Sequence, residues 1–144
     1  MRRLLTLLLF LACLPDIVQA NDPNGIVVIV NPASGVDSLT RAEVIDIYLG
    51  RYRKLPSGRA ALPIDVAESN AQRARFYDLL VKKSLAEISS YWARLVFSGQ
   101  TSPPFQVPDM QTAVDLVQSN PNAIAYVDRA SVNSKVRVVL EIKP

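Results

Sequence analysis

The sequence predicts an α/β fold in which about four helices flank a mixed β-sheet. Two observations carry this prediction. Strand-like runs and helical stripes follow one another in the order β-α-β-α-α-α-β-β. Capping-box patterns, each a hydroxyl residue followed three positions later by Glu or Gln, mark where helices should begin. The early alternation of strands and helices also favours at least one parallel crossover connection.

The first strand and the first helix follow from apolar patterning. The run GIVVIV, residues 25–30, is continuous and β-branched, which is typical of a strand buried on both faces. Thr40 and Glu43 form a capping box, and Gly50 supplies the helix stop. The predicted helix carries an apolar stripe made of Val44, Ile45, Tyr48 and Leu49. The segment RYRKLPSGR, residues 51–59, is then predicted to be a hairpin-like loop.

The middle of the chain predicts a strand, a polar turn and two helices. LPIDVA, residues 62–67, is the second strand. Ser69 and Gln72 form a capping box, so we expect the next helix to begin near Asn70. Ser84 and a Glu three positions later start the following helix, whose apolar residues are Ile88, Tyr91, Trp92, Leu95 and Val96.

The last third of the chain predicts one helix and two strands. QTSPPFQVP, residues 100–108, is expected to be an irregular loop. Asp109 can cap a fourth helix, which Asn120 and Pro121 end. AIAYV and VRVVLEI, residues 123–127 and 136–142, are the closing strands.

The first twenty residues are predicted to be a secretory signal peptide rather than part of the fold. Arg2 and Arg3 precede an apolar run that is too short to anchor a bilayer, and Val18-Gln19-Ala20 is a small-residue cleavage pattern. We therefore expect export to the periplasm, with residues 21–144 forming one domain. Cys13 lies inside the apolar run and matches a lipoprotein site poorly, so no lipid anchor is expected there.

Composition excludes several classes of function. The chain after residue 20 has no cysteine, and the whole sequence has no histidine, which excludes disulfides, thiol nucleophiles, histidine bases and the usual zinc sites. Ser34 and Ser69 have no base to activate them. We therefore expect that the protein is not an enzyme and has no catalytic residues, and that it binds no metal and no cofactor. Without the leader the 16 basic and 13 acidic residues become 14 and 12, a net charge too small to indicate a nucleic-acid partner.

The turn before the second predicted helix is the strongest candidate site. A helix N-terminus offers N–H groups and positive potential to an anion, and the Ser69 hydroxyl can donate as well. Arg73 and Arg75 would add charge-assisted hydrogen bonds. A structural alternative stays open, in which the capping box satisfies the N–H groups and the arginines are solvated or pair with Glu68 or Asp78.

The loop Asn31-Pro32-Ala33-Ser34-Gly35 follows a strand, as phosphate-binding loops do. It lacks the lysine and the glycine spacing of a nucleotide-binding P-loop, so a nucleotide site is not expected. Two interpretations remain. The loop is a plain connection, or Ser34 and Gly35 present backbone N–H groups to a small anion, opposite the Ser69 turn.

A basic patch is the candidate partner surface. It consists of Arg51, Tyr52, Arg53, Lys54 and Arg59, and no acidic residue lies between Asp46 and Asp65. It is either a solvated loop or a face for an anion, a membrane or a partner protein. Phe105, which follows two prolines, could extend that face.

Four segments in order resemble one protein family. LTRAEVIDIYLGR, LPIDVAESNAQRARFYDLL, YWARLVFSG and PNAIAYV look like the C-terminal lobe region of the phosphate-binding proteins of ABC transporters. The chain resembles most closely the short, exported, single-lobe relatives of these substrate-binding proteins, and the resemblance covers nearly all of residues 26–142. It implies an α/β fold, one lobe of a type II periplasmic binding protein.

The resemblance also implies a site. In the family, an arginine and a Ser-Gly-Thr turn at a helix N-terminus grip phosphate. That turn matches Ser69-Asn70-Ala71, of which only the serine is kept, and the family arginine falls where this chain has Asp65, Val66 and Ala67. Arg73 or Arg75, which follow the turn in the sequence, would have to take the place of the family arginine, which precedes it.

Two functions follow from these observations. The first is an exported, non-catalytic binding module that holds phosphate or a similar small oxyanion at Ser69, Asn70 and Ala71, with Arg73 and Arg75 as charge partners. The second is an envelope protein-interaction module that keeps the lobe and has lost the ligand. One lobe offers half a cleft, so full burial of a ligand would need a second protomer or an envelope protein.

Overall fold

The computed structural model describes residues 22–67 and 71–144. Its strands are β1 (Ile26–Val30), β2 (Leu62–Val66), β3 (Phe105–Val107), β4 (Ala123–Asp128) and β5 (Arg137–Ile142). Its α-helices are α1 (Arg41–Tyr48), α2 (Ala71–Val81), α3 (Leu85–Phe97) and α4 (Met110–Ser119). Short 3-10 helices occupy Pro32–Ser34 and Arg129–Ser131. The predicted α/β class, with a mixed sheet and four helices, is confirmed in these residues.

The five described strands form one mixed sheet in the order β3-β2-β4-β1-β5. β2 is parallel to both of its neighbours, β3 and β4, which confirms the predicted parallel crossover. β1 is antiparallel to both β4 and β5. All five residues of β1 are buried, as predicted, because the strand lies between two others and both faces of the sheet are covered there.

Local capping chemistry sets the helix starts. Thr40 and Glu43 form the predicted capping box of α1, and Ser84 and Glu87 form that of α3. The Asp109 carboxylate accepts from Thr112 N at the start of α4. Of the capping box predicted for α2, Ser69 lies outside the described part of the chain and Gln72 lies within α2.

The prediction that residues 100–108 are irregular is wrong in one respect. Phe105–Val107 forms β3, a short strand at the edge of the sheet beside β2. Its composition gives little signal, because Pro103 and Pro104 precede it and two of its three residues are exposed. Pairing with β2 rather than intrinsic preference makes this segment a strand.

Helices α1 and α2 meet the sheet through an aromatic cluster. The Tyr126 ring on β4 stacks on Phe76 of α2 with ring centroids 3.7 Å apart, and it contacts Tyr48 of α1. The Tyr48 hydroxyl lies 2.9 Å from the Ile64 carbonyl oxygen and 3.2 Å from that of Ile124, so α1 is tied to β2 and β4. α4 packs along β4 and β2. Within residues 22–67 and 71–144, no helix combines the length and apolar character that crossing a membrane requires.

Candidate functional site

The carboxyl end of β2 leads directly into α2, and this is where the sequence places its candidate site. β2 ends at Val66 and α2 begins at Ala71, with parallel strands on either side of β2. In open α/β sheets, ligands bind outside the carboxyl ends of the strands. Ala71, one of the predicted site residues, is exposed at the first position of α2. Ser69 and Asn70 lie outside the described residues.

A buried polar cluster lies directly behind this helix start. Asp65 accepts from Arg73 Nε at 3.0 Å and from the Tyr77 hydroxyl at 2.9 Å, both through Oδ2. The Tyr126 hydroxyl donates to Asp65 Oδ1. Asp65 is 2% exposed and Arg73 4%, so the ion pair is almost fully removed from water. The carboxylate is therefore stabilised by one cation and two hydroxyls.

The sequence assembles this cluster from three elements. Asp65 is in β2, and the register of β2 with β4 pairs Ile64 with Ala125, which places Tyr126 beside Asp65. Arg73 and Tyr77 are four residues apart in α2 and so project from the same helix face. The guanidinium carbon of Arg73 lies 5.4 Å from the centre of the Tyr77 ring, and both side chains bind the Asp65 carboxylate.

Electrostatics keep the Arg73 guanidinium charged and the Tyr77 and Tyr126 hydroxyls protonated at neutral pH. Burial lowers the pKa of Arg73, but the charge and hydrogen bond of Asp65 outweigh it, and the net pKa is raised. Burial, followed by the negative charge of Asp65, raises the pKa of Tyr77 and Tyr126 well above the usual range. The two hydroxyls therefore remain hydrogen-bond donors at neutral pH.

The structure changes the role of Arg73. The sequence suggested that this side chain would face an anion, but its guanidinium is buried against Asp65. Its partner among the described residues, Asp65, is not one of the acids that the sequence offered, and of those two acids Glu68 lies outside the described residues. The reason is geometric, since the third residue of α2 points back over the end of β2 rather than outward from the helix start.

Arg75 is half-buried, and its Nη1 donates to the carbonyl oxygen of Asn24. Its charge also acts on Asp128 at the end of β4, whose carboxylate accepts from Gln72 Nε2 at 3.0 Å. Burial raises the pKa of Asp128, and Arg75 and Gln72 oppose that rise in part. The surroundings of the α2 start therefore carry charges of both signs.

Ser34 and Gly35 are not brought to this site. β1 runs antiparallel to β4 and pairs Val30 with Ile124, so the loop after β1 lies at the opposite end of the sheet, at least about 13 Å from the α2 start. Ser34 is buried, and its Oγ accepts from Val36 N at 3.2 Å. The expectation that this loop lies opposite the start of α2 is wrong, because β1 runs antiparallel to β4 whereas β2 runs parallel to it.

The basic patch lies at that second end of the sheet. Lys54 and Ala60 form an antiparallel bridge, which confirms the predicted hairpin-like loop. Arg51 is 3.6 Å from Asp46, with both side chains about half exposed. Arg53 donates to Thr101 Oγ1, and to Ser102 Oγ at 3.2 Å. The remaining predicted members, Tyr52, Lys54 and Arg59, are exposed.

Sequence reasoning missed the polar cluster as a unit. In the sequence analysis, Asp65 has no partner, and Tyr77 and Tyr126 have no role. One signal was present. A lone Asp inside the apolar run LPIDVA and a lone Tyr inside AIAYV are polar groups that must find partners if both strands are buried. In the described residues, no group of three or more Asp, Glu, Cys or His could hold a metal ion.

The similarity of this chain to known proteins is found in solved structures. No family model matches the chain, and no curated protein does. The ABC-type phosphate transport receptor from Vibrio cholerae matches 80% of this chain with a TM-score of 0.64 and 20% identity. A phosphate ABC transporter substrate-binding protein from Clostridium perfringens, solved with bound phosphate, matches 80% with a TM-score of 0.62 and 22% identity.

This chain has the fold of one phosphate-receptor lobe. PstS from Borrelia burgdorferi gives the same result, with a TM-score of 0.60 and 14% identity over 80% of this chain. The chain spans less than half of these relatives, covering 45%, 44% and 46% of their lengths in the order given. The predicted resemblance to a single lobe of these substrate-binding proteins is thereby confirmed at the level of fold.

Proposed function

We propose that this chain is an exported, non-catalytic solute-binding module that recognises a small oxyanion, such as phosphate, where α2 begins. The observation that carries the proposal is the junction of β2 and α2. A helix N-terminus lies at the carboxyl end of a strand that has parallel neighbours on both sides, which is where α/β sheets bind anionic ligands. The Clostridium perfringens protein of the same fold holds phosphate, which supports this choice of ligand class.

The residues proposed to hold the anion differ from those that the sequence suggested. The Ser69 hydroxyl and the N–H groups of residues 70 and 71 remain the central donors. Arg75 supplies the positive charge, because its hydrogen bond to the Asn24 carbonyl does not neutralise it. Arg73 contributes rigidity only, through Asp65.

Two features make this a weak site. Asp128 beside Arg75 reduces the positive potential. One lobe also leaves an anion open to water on one side, whereas binding pockets usually bury most of a ligand. We therefore expect dissociation constants on the order of millimolar, unless a second protomer or an envelope protein covers the site.

Calorimetric titration of the chain from residue 21 onward tests the proposal. Phosphate and sulfate should each give saturable heat that sodium chloride of equal ionic strength does not give. Arg75→Ala should weaken binding about tenfold, the effect of losing one charge-assisted contact. Arg94→Ala, at an exposed position near the end of α3, is the matched control and should bind as the original chain does.

A second candidate function is an interaction module of the cell envelope that no longer binds a solute. The observation that favours it is the pairing of Arg73 with Asp65, since the chain's own carboxylate takes a cation beside the proposed anion position. Absence of heat from folded protein at millimolar phosphate and sulfate would contradict the first function and leave the second.

A further inference from the structure

A groove of about 670 Å³ opens at the end of the sheet opposite the α2 start. The amino ends of β2 and β3 form part of it, and the segments before these strands form its walls. Tyr52 and Phe105, each 56% exposed, stand at its rim, and Pro103 and Pro104 line it. Its volume falls in the range of sites that enclose small ligands or a few peptide residues.

The walls of the groove are held together by specific contacts. Arg53 donates to both Thr101 and Ser102, which ties the segment after α1 to the segment before β3. The Tyr91 hydroxyl donates to the Leu49 carbonyl oxygen at 2.6 Å and fixes α3 against the end of α1. The groove is therefore preformed, which reduces the entropy that a ligand would lose on binding.

Among the described residues that line the groove, the charged one, Arg53, is positive. Its lining residues fall within two segments, residues 47–63 and residues 101–106, and neither segment contains an acidic residue. Arg51, Lys54 and Arg59 are exposed on the first of them. The nearest acid in sequence, Asp46, lies 3.6 Å from Arg51 in a solvent-exposed pair, which contributes little free energy and competes weakly with a ligand.

The groove also borders an edge strand. β3 is the terminal strand of the described sheet and pairs with β2 on one side. The outer N–H and C=O groups of an edge strand can pair with an added strand. An extended peptide beside β3 would therefore gain backbone hydrogen bonds from the strand and apolar contacts from the groove.

We propose that this groove binds an extended acidic peptide segment of a partner protein, which adds a strand to the outer edge of β3. Its apolar side chains lie between Tyr52 and Phe105, and its carboxylates face Arg51, Lys54 and Arg59. The proposal is independent of oxyanion binding, because the groove and the α2 start lie at opposite ends of the sheet.

Fluorescence anisotropy with a designed probe tests this. The probe is a labelled eight-residue peptide that alternates glutamate with valine or tyrosine, and its binding should saturate at micromolar protein. A peptide with lysine in place of glutamate should not bind. Reversing the charges with Arg51→Glu, Lys54→Glu and Arg59→Glu together should weaken binding at least about tenfold. The matched control, Lys82→Glu, Lys135→Glu and Lys143→Glu, changes three exposed charges elsewhere and should leave the affinity unchanged.

A second probe separates strand addition from simple charge attraction without altering the protein. Methylating alternate backbone nitrogens of the glutamate peptide removes its donors and should abolish binding. The proposal is overturned if the folded protein ignores the glutamate peptide, if the methylated peptide binds equally well, or if both triple variants bind alike. Binding of phosphatidylglycerol vesicles that depends on Arg51, Lys54 and Arg59, with no competition by the peptide, would instead identify a membrane surface. That result would also overturn the proposal.

Discussion

Asp65 connects the sheet to α2 through charge rather than through apolar contact alone. Its carboxylate receives three side-chain donors and is nearly inaccessible to water. A buried ion pair contributes little net stability compared with a well-packed apolar pair, but removing one member leaves an uncompensated charge. The cluster therefore fixes the orientation of α2 against β2, and its main energetic signature is the cost of breaking it.

Substituting Asp65 tests that interpretation. Asp65→Asn keeps the shape of the side chain but removes the negative charge that faces the buried Arg73 guanidinium, so we expect a loss of about 3–5 kcal/mol in the free energy of unfolding. Urea denaturation followed by circular dichroism measures it. Asp78→Asn, an exposed position on α2, should change stability by less than about 0.5 kcal/mol. Equal effects of the two substitutions would show that the Asp65 pair is not structurally important.

The buried tyrosines predict an alkaline limit to stability. Burial raises the pKa of Tyr48, Tyr77 and Tyr126 above the ordinary value near 10. The folded state holds these three protons more tightly than the unfolded state, so their contribution is complete below about pH 10 and is lost as the pH rises further.

Absorbance at 295 nm, which reports tyrosinate, measures this limit. The signal from these three residues should rise only as the circular dichroism of the folded state disappears. The guanidinium-unfolded chain is the control, and there all tyrosines should titrate near pH 10. Full ionisation of the five tyrosines in protein that is still folded would contradict the buried cluster.

Residue patterns in the sequence could indicate part of this cluster but not its partners. A lone Asp in an apolar strand signals a buried polar group. Which cation it meets depends on the rotation of α2 about its axis, and that is set by packing of Phe76 against Tyr126 from a distant strand. Arg73 and Arg75 are nearly equivalent in sequence, yet only Arg73 points inward.

At the scale of elements, the end of α1 and the middle of α3 meet at Gly50. This residue has φ +71°, and a Cβ there would lie 2.8 Å from an edge atom of the Trp92 ring and 3.0 Å from Thr101. The lack of a side chain at Gly50 lets Trp92 of α3 and Thr101 of the groove wall both pack against this residue. Glycine is needed at this position both for its backbone conformation and for its lack of a side chain.

Two glycines with nearly the same backbone separate these requirements. Gly99 has φ +69°, but nothing lies within 4 Å of a Cβ built there. Gly99→Ala should cost about 1 kcal/mol from the left-handed conformation alone. Gly50→Ala should cost about 2–4 kcal/mol, because overpacking against Trp92 adds to that strain. Thermal unfolding of both variants measures the difference. Equal losses of stability would mean that the contact between α1 and α3 adjusts to the added methyl group without strain.

Elements with a strong local signal were predictable from the sequence, whereas β3 and the direction of β1, which depend on pairing, were not. Thr40 with Glu43 and Ser84 with Glu87 specify helix starts through their own hydrogen bonds. β3 has no such signal and exists because β2 offers it a partner. The direction of β1 is likewise set by β4 and β5, so the sequence could not assign Ser34 and Gly35 to the correct end of the sheet.

For the whole molecule, one sheet separates two surfaces of different chemistry. The end at α2 carries Arg75, Gln72 and Asp128 around a helix N-terminus. The other end carries the basic groove beside β3. The proposed oxyanion site and the proposed peptide groove therefore lie at opposite ends of the sheet and do not overlap.

A continuous core under both ends predicts cooperative unfolding. The buried apolar residues form one cluster that runs from β1 and β4 to Trp92 in α3. Trp92 is the only tryptophan, so its fluorescence reports α3 and the groove end, whereas circular dichroism reports helices and strands together. A single core in a domain of this size should unfold in one two-state transition. The guanidinium curves from the two probes should therefore superimpose. A fluorescence midpoint well below that of circular dichroism would show that α3 separates from the sheet first, and that the groove lacks the preformed wall on which peptide binding depends.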